Sequence, residues 1–380
     1  MLPTFTEMLR SLVGTPSISS LNPALDRSNR GVLDHLANWL EDLDFRVEIQ
    51  SIANSNGKCN LIAQKGSGEG GVLLAGHTDT VACDEHLWSY DPFDLSETSD
   101  KYYGLGSCDM KGFFPTALSA ISSFDEKSLS SPVSVLATCD EETTMLGARH
   151  LSKSNELTSE VAIIGEPTSM APVYAHKGIF VLKIQTEGRA AHSSNPALGV
   201  NALEGMHAIL TDLIEFREEL KTSYNHKEFE VCFPTLNLGC LHAGDSANRI
   251  CSHADLLIDI RLVPGMSSDD IFQQLERRLR LLERRIEMPV TIDMGFPPIE
   301  PFATSRDSRL VKLLQKNTGH AAKTVAFGTE APFLQGMGLE TVVFGPGSID
   351  QAHQVDEYLR KDQIDGTRKA LEVVISDYCT

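Results

Sequence analysis

The chain has no run of about 18 consecutive apolar residues, so a membrane-spanning helix is not expected. Its eight cysteines, at 59, 83, 108, 139, 232, 240, 251 and 379, form no Cys-x-x-Cys pair, which removes zinc ribbons and thioredoxin-like motifs. Positive charge is scarce: 33 Lys and Arg face 52 Asp and Glu, a net charge of -19. Such a field repels nucleic-acid phosphates and anionic lipid, so neither is expected as a partner. Internal repeats and low-complexity tracts are missing too, and at 41% apolar residues the composition is that of a globular protein rather than a disordered one. The first ten residues place a proline and an acid where a secretory signal needs basic and then apolar residues; the expectation is a cytoplasmic chain with reduced thiols, most of them small core residues.

At 380 residues the chain is long enough for two domains. Residues 31–43 carry apolar groups at 32, 33, 36, 39, 40 and 43, the spacing of a helix with one buried face. Short continuous apolar runs at 72–76, 133–137, 161–164 and 341–344 read as strands buried on both faces. Strand-like segments also occur at 45–52 and 60–63, and helical stretches at 112–124, 146–151 and 306–317. This alternation predicts an α/β domain with a mostly parallel sheet. The middle of the chain differs. Strands at 178–187, 234–241, 254–262 and 289–294 interleave with amphipathic helices at 199–220 and 267–285, a split βαβ pattern. The expected layout is therefore a catalytic domain at 1–177 and 295–380, with an inserted α+β domain at 178–294.

In parallel sheets, function gathers beyond the carboxyl ends of the strands. Each apolar run here ends in residues suited to that. The first leads into Gly76-His77-Thr78-Asp79, where an imidazole can bind metal while the acid holds its other N–H. In a chain with 12 histidines and 52 acids a His-x-acid pair proves little alone; its place at a strand end gives it weight. The loop Gly104-Leu105-Gly106-Ser107-Cys108-Asp109-Met110-Lys111-Gly112 precedes a helix, and Asp109 would serve equally as an N-cap. The run 133–137 ends in Asp140-Glu141-Glu142, three consecutive acids that repel one another unless a cation is near. Glu166 follows 161–164, and His353 lies in the loop after 341–344. These nitrogen and oxygen ligands suit Zn²⁺, Co²⁺ or Mn²⁺, and five exceed one tetrahedral site, which points to a carboxylate-bridged pair.

Taken in order, Gly76-His77-Thr78-Asp79-Thr80-Val81, Asp109-Met110-Lys111-Gly112, Asp140-Glu141-Glu142, Gly165-Glu166-Pro167-Thr168, Gly188-Arg189-Ala190-Ala191-His192-Ser193 and the late His353 resemble the dinuclear zinc amidohydrolase/peptidase family. That family includes acetylornithine deacetylase, desuccinylases, aminoacylases and glutamate carboxypeptidases. The resemblance implies that His77, Asp109 and Glu166 hold one ion, that Glu142, His353 and the same Asp109 hold a second, that Glu141 is the general base, and that Asp79 orients His77. It also implies a cis peptide at Asp109-Met110, an oxyanion donor in His192, and a homodimer formed through the inserted domain, whose His192 reaches a partner's site. Gly328-Thr329-Glu330-Ala331-Pro332-Phe333 and the segment 345–354 resemble the acetylornithine deacetylase group; Val355 stands where relatives often have proline.

The expected activity is removal of the acetyl group from N²-acetyl-L-ornithine by two divalent ions, zinc or cobalt. Asn248, Arg261 and Glu330 are the expected substrate contacts, Arg261 because a guanidinium captures a carboxylate in bidentate fashion. Arg261 also suits a surface ion pair, and Glu330 a helix cap. A desuccinylase or a broader N-acyl-amino-acid hydrolase is the rival within the class. A binding protein without catalysis and an assembly protein are rivals from other classes. Cys108 and Cys139 adjoin these motifs, but nothing supplies the histidine that a thiol nucleophile requires.

Overall fold

The structure, a computed structural model, describes residues 2–153 and 157–380. The chain divides into two compact units, one of Met1–Tyr174, Thr304–Lys323 and Thr329–Thr380, the other of Ala175–Ala303 and Thr324–Gly328.

In the first unit the strands lie side by side in the order Arg46–Ser51, Cys59–Lys65, Val133–Thr138, Val72–His77, Val161–Ile164, Glu340–Val343 and the start of Val173–His176. The middle four are parallel, as expected of fully apolar runs. The margins are antiparallel, so the sheet is mixed. Every residue of Val72–His77, Val133–Thr138 and Val161–Ile164 is buried, and each buried Val, Leu or Ile contributes about 1.5–3 kcal/mol. Because the four parallel strands run the same way, their carboxyl ends share one edge. His77, the acids after Thr138, Glu166 after Ile164 and the loop after Val343 all leave from that edge.

Helix Arg30–Glu41 buries Val32, Leu33, Leu36, Trp39 and Leu40, the face read from the sequence. Helix Lys361–Cys379, by contrast, escaped the sequence reading. Its buried face, Thr367, Ala370, Leu371, Val374, Ile375 and Tyr378, has helical spacing, but two members are polar or small. It packs on helices Phe113–Ile121 and Arg309–Thr318. Helix Phe5–Val13 also went unread; Thr4 and Glu7 form its capping box.

The second unit is a four-stranded antiparallel sheet in the order Thr235–Ala243, His253–Leu262, Gly178–Glu187, Val290–Met294. Burial alternates along Gly178–Glu187 as a one-sided sheet demands. Phe180, Leu182 and Ile184 share a core with Met206, Ile209 and Leu213 of helix Ala202–Ser223 and with Leu275 and Leu279 of helix Ser268–Ile286.

Candidate metal centre

His77 ends its strand almost fully buried, at 1% exposure. Its Nδ1 faces the backbone carbonyl of Asp79 at 3.0 Å, with the Asp79 carboxylate at 3.6 Å. A proton on Nδ1 therefore leaves Nε2 free, and that atom faces Asp109 Oδ1 at 3.2 Å and Glu166 Oε1 at 3.8 Å. The preceding Gly76 admits no side chain: a Cβ there would lie 2.3 Å from Met110 Cε. The Met110 sulfur instead accepts the His77 N–H at 3.4 Å.

Asp109 follows a turn in which Gly106 has φ +77°, and the Asp109-Met110 bond is cis. The next helix begins at Phe113 with Gly112 as its N-cap, so Asp109 does not cap it. Its backbone is held by Glu357. Oε2 of that buried carboxylate accepts from the Gly106 N–H at 2.9 Å, and Oε1 accepts from the N–H groups of Cys108 at 2.7 Å and Asp109 at 2.9 Å. Burial pushes the Glu357 carboxyl up to about 8, with the three N–H groups opposing.

The three-acid turn separates its charges. Asp140, at φ +58°, pairs with Lys58 at 2.8 Å, and Lys58 pairs equally with Asp26. This ion pair supplies a cation for Asp140 that the sequence gave no sign of. Glu141 and Glu142 remain, and the Asp79 carboxylate receives both of their N–H groups at 3.2 Å. Asp79 thus fixes the acid turn as well as standing beside His77. Glu142 Oε2 lies 2.9 Å from His353 Nε2, and Asp109 Oδ2 lies 3.9 Å from the same nitrogen.

Ligand atoms of His77, Glu141 and Glu166, and again of His77, Asp109 and Glu142, lie within 4.8 Å of one another. Burial drives the Glu141 carboxyl well above the usual carboxylate range; His77 opposes this, while Glu166 and Glu142 add to it. Burial likewise raises Glu166, with Asp109 adding to it. It also raises Glu142, against the pull of His353. Asp109 stays below its ordinary value despite burial, because the imidazoles of His77 and His353 face it. A cluster of buried carboxylates that favours protonation is short of positive charge. Among the described residues, Lys58 is held by Asp26 and Asp140, and Lys111 by the carbonyls of Leu12 and Thr15, both at 2.9 Å. Two imidazoles and at least three carboxylates around an electron-rich gap fit divalent metal ions.

Glu330 precedes helix Ala331–Gly336 but makes no side-chain cap. Its Oε2 accepts from the Thr138 hydroxyl at 2.8 Å, its Oε1 has no hydrogen-bond partner among the described residues, and burial pushes its carboxyl up to about 7. Cys108 and Cys139 are buried, which raises their thiols and disfavours a thiolate nucleophile. A cleft of about 110 Å³ lined by Cys83, Trp88, Leu105, His353 and Val355 opens beside His353.

His192, Asn248 and Arg261 belong to the second unit. Ser193 N–H donates to the Asn248 carbonyl at 3.0 Å, so the first two sit on adjoining loops. The Ser194 hydroxyl lies 2.8 Å from His192 Nδ1, and both His192 and Asn248 are exposed. Arg261 Nε donates to Asp259 at 2.8 Å.

Sequence reasoning missed Glu357, Lys58 and Thr138. Glu357 stands four residues after His353 in a polar loop, and only its buried position marks it. Lys58 precedes an apolar strand and looks like any surface lysine.

Residues 73–377 match peptidase family M20/M25/M40. The chain is 44% identical to an acetylornithine deacetylase of Photorhabdus laumondii, over all of this chain and 98% of that one. It is 45% identical to that of Klebsiella pneumoniae, with the same coverage. Among solved structures it resembles an M20 family metallo-carboxypeptidase from Sulfolobus solfataricus, with TM-score 0.76 at 20% identity over 99% of both chains. It also resembles a dinuclear metal binding M20 peptidase of Bacillus subtilis, with TM-score 0.68 at 13% identity over 98% and 96%.

Proposed function

The chain belongs to peptidase family M20/M25/M40, and from that premise we propose that it hydrolyses the amide of N²-acetyl-L-ornithine to L-ornithine and acetate. The substrate rests on likeness to acetylornithine deacetylases along the whole chain. The observation that carries amide hydrolysis is Asp109, which turns one carboxylate oxygen toward each of two imidazoles, His77 and His353.

His77, Asp109 and Glu166 would hold one divalent ion and Glu142, His353 and Asp109 a second, zinc being our assignment and cobalt the alternative. When bound, such ions polarise an acyl carbonyl and acidify water at neutral pH. Glu141 then takes the proton from the attacking water and delivers it to the departing amine nitrogen. Asp79 holds Glu141 in place through its backbone N–H. We assign the tetrahedral oxyanion to His192, the substrate α-carboxylate to Arg261 with Asn248 beside it, and the side-chain ammonium to Glu330, whose second oxygen has no hydrogen-bond partner among the described residues. The second unit is assigned to homodimer pairing. A place in arginine biosynthesis and a cytoplasmic location complete the proposal; no described helix is long and apolar enough to cross a membrane.

The test is hydrolysis of a panel of acyl amino acids by metal-loaded and chelator-treated protein. Acetylornithine should exceed succinyl-diaminopimelate at least tenfold in kcat/KM. A preference for the succinyl substrate, or no turnover of acetylornithine by loaded protein, overturns the assignment. Arg261→Ala should raise KM for acetylornithine, and an unchanged KM removes Arg261 from the carboxylate role.

A further inference from the structure

We infer that Glu357 is a positioning residue that sets the bridging carboxylate of Asp109 by gripping the backbone on which it is carried, and that it locks this loop to the segment bearing His353. The inference rests on the two-metal reading above.

Three backbone N–H groups converge on one carboxylate that is only 1% exposed: Gly106 on Oε2, Cys108 and Asp109 on Oε1, at 2.7 to 2.9 Å. A carboxyl group is the side chain suited to this, since both of its oxygens can accept. An amide of the same shape must turn its NH₂ toward at least one of these N–H donors. The last of the three N–H groups belongs to Asp109 itself, so the grip falls directly on the residue whose two oxygens face His77 and His353.

The connection runs both ways along the chain. The Glu357 carbonyl accepts from the Gly104 N–H at 3.1 Å, which adds a fourth bond between the same two segments. The neighbouring Asp356 anchors a different loop, accepting from Ser89 N–H at 2.7 Å and Tyr90 N–H at 3.4 Å. Residues 353–357 therefore present an imidazole to the metal site at one end and hold the opposite wall of that site at the other. A shift of Glu357 moves Asp109 and His353 relative to each other, the separation on which a shared pair of ions depends. Adjacent Asp356 bonds to Ser89 and Tyr90 rather than to the Gly106–Asp109 turn, which makes it the control for that grip.

Full-length wild type, Glu357→Gln, Glu357→Asp and Asp356→Asn are compared by chelator-competition titration with Zn²⁺ and Co²⁺, by the visible spectrum of the Co²⁺ forms, and by steady-state kinetics. Loss of a group that orients a ligand weakens metal binding by about 10–100-fold. Glu357→Gln should therefore bind metal at least about tenfold more weakly, show an altered Co²⁺ spectrum, and lose kcat with KM within about twofold. Glu357→Asp keeps the carboxyl group and should recover part of the affinity; it carries the test if the Gln variant does not fold. Asp356→Asn should keep metal affinity within about twofold of wild type and leave the Co²⁺ spectrum unchanged. Metal affinity and Co²⁺ spectrum equal to wild type in a folded Glu357 variant overturn the inference. Wild type that takes up fewer than two ions overturns the two-metal reading instead, a result visible in the same titration before any variant is considered.

Discussion

Glu142 Oε2 lies 2.9 Å from His353 Nε2, although the two residues are 211 positions apart in the chain. The contact closes the site. It brings the loop after the last parallel strand onto the acid turn after Val133–Thr138.

Glu141→Gln keeps the shape of the side chain and removes its basicity. Metal content should match wild type while kcat falls by about 10²–10⁴-fold. Metal analysis together with turnover on acetylornithine checks this; full activity in a metal-replete variant rejects Glu141 as the base.

Removal of metal should cost both activity and stability. With free ion at 100 times its Kd, binding stabilises the fold by about 2.7 kcal/mol, so chelation should lower Tm and re-addition restore it. Asp109→Asn, which weakens the residue facing both imidazoles, should abolish most of this metal-dependent shift. A calorimetric scan with and without chelator reads the effect directly, and a shift of wild-type size in Asp109→Asn contradicts the bridging role.

Lys58 is 2% exposed at its side chain and pairs at 2.8 Å with both Asp26 and Asp140, themselves largely buried. Lys58→Met leaves two carboxylates without their cation, and breaking buried pairs of this kind costs about 3–5 kcal/mol. Urea unfolding should show a loss of that order. Because Asp140 precedes Glu141, activity should fall as well; a variant with wild-type stability means the pair contributes nothing.

His176 is fully buried, its Nδ1 donating to the Lys177 carbonyl at 2.9 Å, and burial pushes its pKa down to about 4. The folded value lies below that of the unfolded chain, near 6.5. The neutral ring therefore contributes its full stability above about pH 6.5, and that contribution drains away as pH falls toward 4, by about 3 kcal/mol in all. His176→Asn does not titrate there, so its unfolding free energy should change less between pH 7 and pH 4.5 than that of wild type. Equal pH dependence in the two proteins would falsify the assignment.

Much of this was legible without coordinates. The apolar runs at 72–76, 133–137 and 161–164 read as strands buried on both faces, because such strands are apolar throughout and these runs are too short for helices, and their carboxyl ends name His77, Glu141, Glu142 and Glu166 in advance. Helix Lys361–Cys379 was not legible for a complementary reason: threonine and alanine make up part of its buried face, and a pattern search weighs them lightly. Glu330 was read as a cap or an ammonium partner, and only the folded chain shows that its carboxylate meets Thr138 rather than the helix that follows it.

Local chemistry, then, was determined by sequence: which residues can ligate, which strand delivers each, and the excess of negative charge that a cation must answer. Tertiary structure alone decided how those charges are shared. Whether Asp140 meets a lysine or a metal depends on Lys58 arriving from the loop before strand Cys59–Lys65, and whether Asp109 holds a fixed orientation depends on Glu357 arriving from the far end of the chain. Periodicity records how each segment buries itself, but a contact between segments hundreds of residues apart leaves no local trace, since it is fixed only when the sheet brings their ends to one edge.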